Sequence, residues 1–510
     1  MAMSVTACMV GPDFVQPTAK LQDDYARAAQ SEFTESFNSS KDKLLNPVTW
    51  WTSFKDPTLN QLLKRAADEN LSLQSAALRI FQARAQLGVA DASLLPVVNL
   101  TGSSTQNNMP SQGTSPLMSS GVSVTNNALL TASWEIDFWG KYRRGIESSL
   151  STYIATVATF YSADVSLAAD VANTYINIRN FDTLISVAKT NLALQEESLR
   201  IADSRFKNGA TSLLDLNQAQ ALYEQTKSQI PGLIASLKKN HYAMSILLGE
   251  TPDYYEKTFG STVGSLTSPP ELDVGIPKDL LRRRPDVLQA EFEAAAQSAL
   301  IGVNVANLYP SFSLSGYFGF QTITPSGSST PSLFSWDNKT TSLAGGFTFP
   351  VFYRGAIVDQ IRVQDAVFQQ SILSYQNKVL NAQKEVQEAL ITISTTRSAS
   401  ADLKKAVVAA QSAADLALQR YKGGQSDYST VIQAQQQLLS IQNSAVQSNT
   451  SNLLGYVSAF KSLGGGWSGE MKIPALPVAM VGEMEKRTDW GKALMLSNDP
   501  RLVQPSENKQ

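Results

Sequence analysis

Leu87-Gly88-Val89-Ala90-Asp91-Ala92-Ser93-Leu94-Leu95-Pro96 is written a second time in this chain, as Ile301-Gly302-Val303-Asn304-Val305-Ala306-Asn307-Leu308-Tyr309-Pro310, an offset of 310 − 96 = 214. Further on, Arg205-Phe206-Lys207-Asn208-Gly209 returns as Arg420-Tyr421-Lys422-Gly423-Gly424, an offset of 420 − 205 = 215, and Gln218-Ala219-Gln220 returns as Gln433-Ala434-Gln435. An offset that holds over so long a stretch is a duplicated fold. Each copy carries two kinds of segment, one strand-like and one of very long helices.

The strand-like segments alternate with period two. Phe312, Leu314, Gly316, Phe318 and Phe320 oppose Ser311, Ser313, Ser315, Tyr317 and Gly319, and residues 98–102 are their weaker repeat partner. Ala128, Leu130, Ala132, Trp134, Ile136 and Phe138 oppose Leu129, Thr131, Ser133, Glu135 and Asp137. Leu343, Gly345, Phe347, Phe349 and Val351 alternate in the same way. Polar stretches at about 106–122 and 323–339 read as loops. Aromatic residues gather near the strand ends at Trp134, Phe138, Trp139, Trp336, Phe352 and Tyr353. Lengths near ten residues suit a tilted membrane strand, and a soluble antiparallel sheet with one wet face is the other reading.

The remainder reads as helix. No proline occurs from Gly140 to Gly209 or from Arg354 to Gly424, and each run ends at glycine before a returning helix, Ser212 to Leu248 and Asp427 to Leu463. Leu216, Tyr223, Ile230, Leu237 and Met244 fall every seventh residue, as do Ile432, Leu439, Val446, Leu453 and Phe460, and Ile185, Leu192, Leu199 and Phe206 before the first turn. A sustained period of 3.5 means supercoiled helix pairs. Pro231 interrupts the first returning helix only, which predicts a kink in one copy.

Composition removes whole function classes. The net charge of −2 offers no basic footprint for nucleic acid. One Cys and one His exclude a disulfide framework and the Cys/His zinc patterns, so no metal or other cofactor is expected. No nucleophile–His–carboxylate set or phosphate loop stands out, and an enzyme is not the reading. His241 sits in a heptad helix as a packing or interfacial residue. No apolar run is long enough for a membrane helix, which leaves a β-barrel open. Val5-Thr6-Ala7-Cys8 has the form of a lipoprotein cleavage box without its upstream leader, the alternative being a stray surface Cys. Four strands cannot close a barrel and an open edge is forbidden in lipid. Membrane strands would therefore require several chains; three give twelve strands and room for a channel.

With these residues in view the chain resembles the TolC-like outer membrane factors, in particular the lipoprotein branch that works with resistance-nodulation-division pumps. The resemblance is carried by Cys8-Met9-Val10-Gly11-Pro12-Asp13-Phe14, Trp50-Trp51, Trp134-Glu135-Ile136-Asp137-Phe138-Trp139-Gly140, Arg283-Arg284-Pro285-Asp286-Val287 and Leu463-Gly464-Gly465-Gly466-Trp467. It implies a mixed α and membrane-β fold: a homotrimeric twelve-stranded barrel, four strands per chain, continuous with a long periplasmic coiled-coil α-barrel. The expected divisions are an N-terminal lipid-anchored segment 8–57, a first repeat 58–270, a second repeat 271–467 and a tail 468–510, which either wraps the outside of the helical barrel or is disordered. The implied partners are outer-membrane lipid, a periplasmic adaptor protein and an inner-membrane resistance-nodulation-division transporter.

The resemblance further implies lipidation (palmitate) at Cys8 and a passive exit duct for drugs or small toxic compounds, opened at its periplasmic tip. Alternatives are a duct for protein or peptide secretion and a structural, membrane-anchored coiled-coil trimer. Relatives often carry an acidic residue where this chain has Gln433, so the gate is expected among Asp427, Gln433, Asp215 and Tyr428. Asp427 also suits a plain helix N-cap. Adaptor contact is expected on the hairpins at Arg205, Lys207, Gly209, Arg420, Lys422 and Gly424. The two arginines equally suit the negative end of a helix dipole, and the glycines a helix terminus. Arg283, Arg284 and Asp286 are expected to form a structural ion network.

Overall fold

The computed structural model describes residues 9–20, 47–109, 121–260, 284–325, 328–329, 331–491, 493–495 and 499–502. Cys8, Arg283 and most of the segment 8–57 lie outside the described residues. The described chain falls into two compact units that cut across the repeat: residues 1–17, 81–156 and 290–375 form one, and 18–80, 157–289 and 376–510 form the other.

The first unit is built on a four-stranded antiparallel meander, β1 (Val97–Met109), β2 (Gly121–Ile136), β3 (Ser311–Pro325) and β4 (Lys339–Thr348), in that order. Its register places the alternating apolar positions of all four strands in common rows: Val98 opposite Ala132, Ala132 opposite Gly316, Gly316 opposite Leu343. The next row is Leu100, Leu130, Phe318 and Thr341. A one-residue slip would turn every one of these to the other face, so the pattern fixes the register. This apolar face is bare, with Leu100 and Leu343 each 80% exposed. Phe334 and Trp336 stand exposed at one end of the sheet, and Phe352 and Tyr353 follow β4 at the other. Among the described residues, the outer edges of β1 and β4 have no partner strand.

Three strands outrun the ten residues read from the apolar alternation, to 13, 16 and 15 residues. The added pairs are mostly polar: Ser104 with Asn126, Asn107 with Ser123, Asn127 with Gln321. Backbone pairing continues past the apolar band because each ladder group still needs a partner, so residues expected in loops are strand.

Asp137 makes the strand-to-helix junction. Its carboxylate accepts from the backbone amides of Tyr142 and Arg143, capping α3 (Lys141–Lys207, after α1, Pro57–Glu69, and α2, Leu71–Ala92). Gly140 takes φ +79 there, and a Cβ on it would meet Met9 at 2.6 Å. Residues 9–13 are held against this junction: the Val10 amide donates to Trp139 O at 3.1 Å, and Gly11 touches Gly302 closely enough to forbid a side chain on either. Arg144, 2% exposed, donates to Val10 O at 3.2 Å and Asp13 Oδ1 at 2.7 Å.

The second unit is helical. α3, of 67 residues, spans about 100 Å at 1.5 Å per residue. It turns at Gly209 into α4 (Leu213–Leu247), and a short α5 (Tyr254–Phe259) and α6 (Pro285–Ala306) follow among the described helices. α7 (Arg354–Lys422) turns at Gly424 into α8 (Tyr428–Ser462). Both turn glycines have φ +70, a left-handed conformation that closes a helix C-terminus. α4 runs unbroken through Pro231, which is exposed together with Gly232.

α8 sits against α3 through paired polar side chains: Gln435 donates to Ser198 Oγ at 2.7 Å, Asn191 to Gln442 Oε1 at 2.6 Å, and Thr450 to Asn180 Oδ1 at 2.8 Å. On its other side Asn452 reaches Ile393 O and Thr396 Oγ1 of α7. Small residues let the helices approach and the amides then satisfy one another. Near the tip the buried stripe is Val431, Gln435 and Leu438, with Ala219, Leu222 and Thr226 on α4, while the heptad positions Ile432, Leu439, Leu216 and Tyr223 are half-buried.

Arg284 is buried and bidentate on Asp286 at 2.9 Å, and also donates to Glu385 at 2.8 Å and to Ser462 O at 2.9 Å. It thereby pins the start of α6 to both long helices of the second hairpin. Trp50 stacks on Phe460 and Trp467 on Tyr161. Part of the tail is ordered: Ile473 and Leu476 are buried, and α9 (Val478–Arg487) follows.

Candidate functional site: the paired hairpin tips

The two hairpin turns lie side by side. Ile201, Ala202 and Ala219 from the first pack with Ala417, Tyr421, Tyr428 and Val431 from the second. Tyr421 and Tyr428 are each 1% exposed and meet edge to face at 5.0 Å. Burial pushes the Tyr428 hydroxyl well above the usual phenol range, so it stays neutral.

Arg205 joins the turns. Its guanidinium lies 4.7 Å from the Tyr421 ring centroid. It donates to Tyr421 O, to Lys422 O at 3.2 Å and to Ala210 O at 3.4 Å. The first two are last-turn carbonyls of α7, the negative end of that helix, where a cation is stabilised, and the third lies in the turn that follows α3. Lys422 Nζ lies 3.6 Å from Glu197 of α3, a second tie between the hairpins. Arg205 is thus committed to the fold, whereas Lys207, Gly209, Arg420, Lys422 and Gly424 are exposed.

The acidic candidates separate. Asp215 accepts from Thr211 Oγ1, and its amide donates to Ser212 Oγ at 3.4 Å, so it belongs to the N-terminus of α4. Asp427 holds the N-cap position of α8, yet its side chain makes no capping hydrogen bond and is exposed. Gln433 is exposed six residues further, nearly two turns on. Of the four gate candidates, Asp427 and Gln433 present free side chains, Asp215 is engaged locally and Tyr428 is core.

His241 is 3% exposed and packs on Tyr255 at 5.0 Å; burial lowers its pKa, keeping it neutral. No group of three or more His, Cys, Asp or Glu side chains able to hold a metal occurs among the described residues. No described helix is long and apolar enough to cross a membrane.

Asp164, absent from the sequence reading, lies in the second unit on a cavity of about 230 Å³ lined also by Trp51, Asn60, Leu63, Lys64 and Leu167. Burial raises its carboxyl to about 6. Asn60 Oδ1 is buried there without a donor. One acidic residue inside a 67-residue helix carries no sequence mark of such a setting.

Residues 62–250 and 276–465 match the sequence profile of the outer membrane efflux protein family. The chain belongs to that family. It is an outer membrane efflux channel. It is 29% identical over 440 residues to Nodulation protein T of Rhizobium leguminosarum bv. trifolii, covering 86% of this chain and 90% of that one. It is 30% identical over 440 residues to the pyoverdine export outer membrane protein OpmQ of Pseudomonas putida, covering 86% and 92%. The solved outer-membrane channel OprN has the same fold, with a TM-score of 0.81 at 30% identity over 90% of this chain and 100% of that one. A four-stranded sheet with two long helical hairpins is what the efflux channel's sequence predicts.

Proposed function

We propose that three copies of this efflux channel form a passive exit duct for small toxic compounds. Twelve strands close the barrel, and the hairpins form a periplasmic tube. The observation that carries the trimer is an asymmetry between repeats. Leu380, Ile391 and Leu416 on α7 are 52%, 54% and 57% exposed. At the same distances from the tip, 215 residues earlier, Val165, Ile176 and Ile201 on α3 are 7%, 1% and 8% exposed. The same helical face is covered in the first repeat and bare in the second, as expected if a neighbouring copy covers it. The unpaired edges of β1 and β4 agree, since an open edge is excluded in lipid.

The duct performs no chemistry. An adaptor engages the exposed tips at Lys207, Gly209, Lys422 and Gly424, and an inner-membrane resistance-nodulation-division transporter supplies the energy. The adaptor opens the tip by binding its open form more tightly than its closed form. Three Asp427 carboxylates, with Gln433 nearly two turns above, ring the aperture and favour cations. Lipid on Cys8 anchors the segment whose continuation, Met9 to Asp13, is docked on Arg144. The relative that exports pyoverdine favours a small-molecule cargo over a secreted protein.

Native mass spectrometry of the detergent-solubilised protein tests the assembly, with trimers expected and monomers alone refuting it. Accumulation of a small fluorescent dye in cells deleted for the protein tests the cargo class. Unchanged dye with loss of a secreted protein would favour the secretion duct.

A further inference from the structure

The two tip arginines are repeat mates with different fates. Arg205 is spent on the second hairpin of its own chain, over Tyr421 and on the carbonyls of Tyr421 and Lys422. Arg420, 215 residues on, is exposed and makes no side-chain hydrogen bond, ion pair or ring contact among the described residues. The receptor side repeats the difference. Tyr421 is 1% exposed beneath Arg205, while its repeat mate Phe206 is 37% exposed at the end of α3. Phe206 O accepts the Gly209 amide at 2.9 Å just as Tyr421 O accepts the Gly424 amide at 3.0 Å, so the two turns offer the same carbonyl geometry. One chain therefore holds one complete arginine–aromatic–carbonyl staple and the two separated halves of a second.

We propose that Arg420 completes this second staple on a neighbouring copy, its guanidinium over Phe206 of the partner subunit and donating to the carbonyls of Phe206 and Lys207 of the partner subunit. The inference rests on the trimer proposed above. It gives the tip six staples of one design, three within chains and three between them. The three within chains hold each pair of hairpins together and the three between chains hold neighbouring copies together, so a tip whose hairpins move apart loosens both kinds. It also removes Arg420 from the adaptor-contact surface.

Two experiments test it. In the full-length protein, the pair Phe206→Cys and Arg420→Cys is treated with a short bifunctional thiol reagent, beside the parent chain with its own Cys8. The pair Arg205→Cys and Tyr421→Cys serves as the within-chain control. Covalent dimers and trimers from the first pair, and none from the control pair, are expected. Native trimers without any between-chain product overturn the staple and leave the trimer standing; monomers alone overturn both. Independently, Arg420→Gln should raise channel open probability in planar bilayers by about fivefold, and Phe206→Ala, which removes the ring but leaves both backbone carbonyls, by about threefold. The double variant should do no more than Arg420→Gln alone. Effects that multiply would show that the two side chains do not meet.

Discussion

Replacing Asp164 with Asn should stabilise the channel, and only on the alkaline side. The carboxyl faces Leu63 and Leu167 across a small cavity, and burial raises it from an ordinary 3.8 to about 6. A raise of that size corresponds to about 3 kcal/mol between the two protonation states. The unfolded chain ionises near 3.8 and the folded chain near 6, so between these values the folded state keeps a proton that the unfolded chain has released. Stability from this group is therefore greatest below pH 3.8 and falls as pH rises through about 6. Above that, wild type carries the cost of a half-buried, desolvated carboxylate. Lys64 lines the same cavity without an ion pair to Asp164, so the cost is not offset there. Asn keeps the shape and cannot ionise. In detergent, the melting temperature of Asp164→Asn should exceed that of wild type by a few degrees at pH 8, the gap closing by about pH 4. A gap that is independent of pH, or absent at pH 8, would refute the assignment of Asp164 as a desolvated, unpaired carboxylate.

Three further outcomes follow from the geometry. Arg205→Gln removes the within-chain staple and leaves the last carbonyls of α7 without their cation; open probability in planar bilayers should rise roughly tenfold, a loss of one to two charged hydrogen bonds. Asp427→Asn removes an exposed carboxylate that caps nothing, so melting should be unchanged while cation preference in reversal-potential measurements declines. Arg144→Met strips the donors from Val10 O and Asp13; hydrogen exchange at the Val10 amide should accelerate, with other strand and helix amides unaffected.

The parts of this fold legible in sequence are those set by local periodicity. Phe312 to Phe320 and Ala128 to Phe138 declare one apolar face each, and pairing puts those faces in the same rows. Proline-free runs closed by Gly209 and Gly424 declare the hairpins. Strand ends were illegible because polar pairs such as Asn127 with Gln321 extend the ladder with no apolar signal. At the site, residue types and positions were visible but their engagement was not. Arg205 and Arg420 are indistinguishable in sequence, and so are Asp215 and Asp427 as helix-start acids. What separates them is which neighbour the same chain supplies. Asp164 was hidden for the same reason, since its setting is made by Trp51, Asn60 and Leu63 from elsewhere in the sequence.

The central claim, a continuous aqueous path gated at the hairpin tips, is met most directly by single-channel recording in planar bilayers. The wild-type channel should show small, mostly closed conductance, and the double variant Arg205→Gln/Arg420→Gln a large, sustained and cation-preferring one. Bilayers that stay silent with the double variant, although native trimers are present in the sample, would contradict the duct and favour a filled coiled-coil anchor.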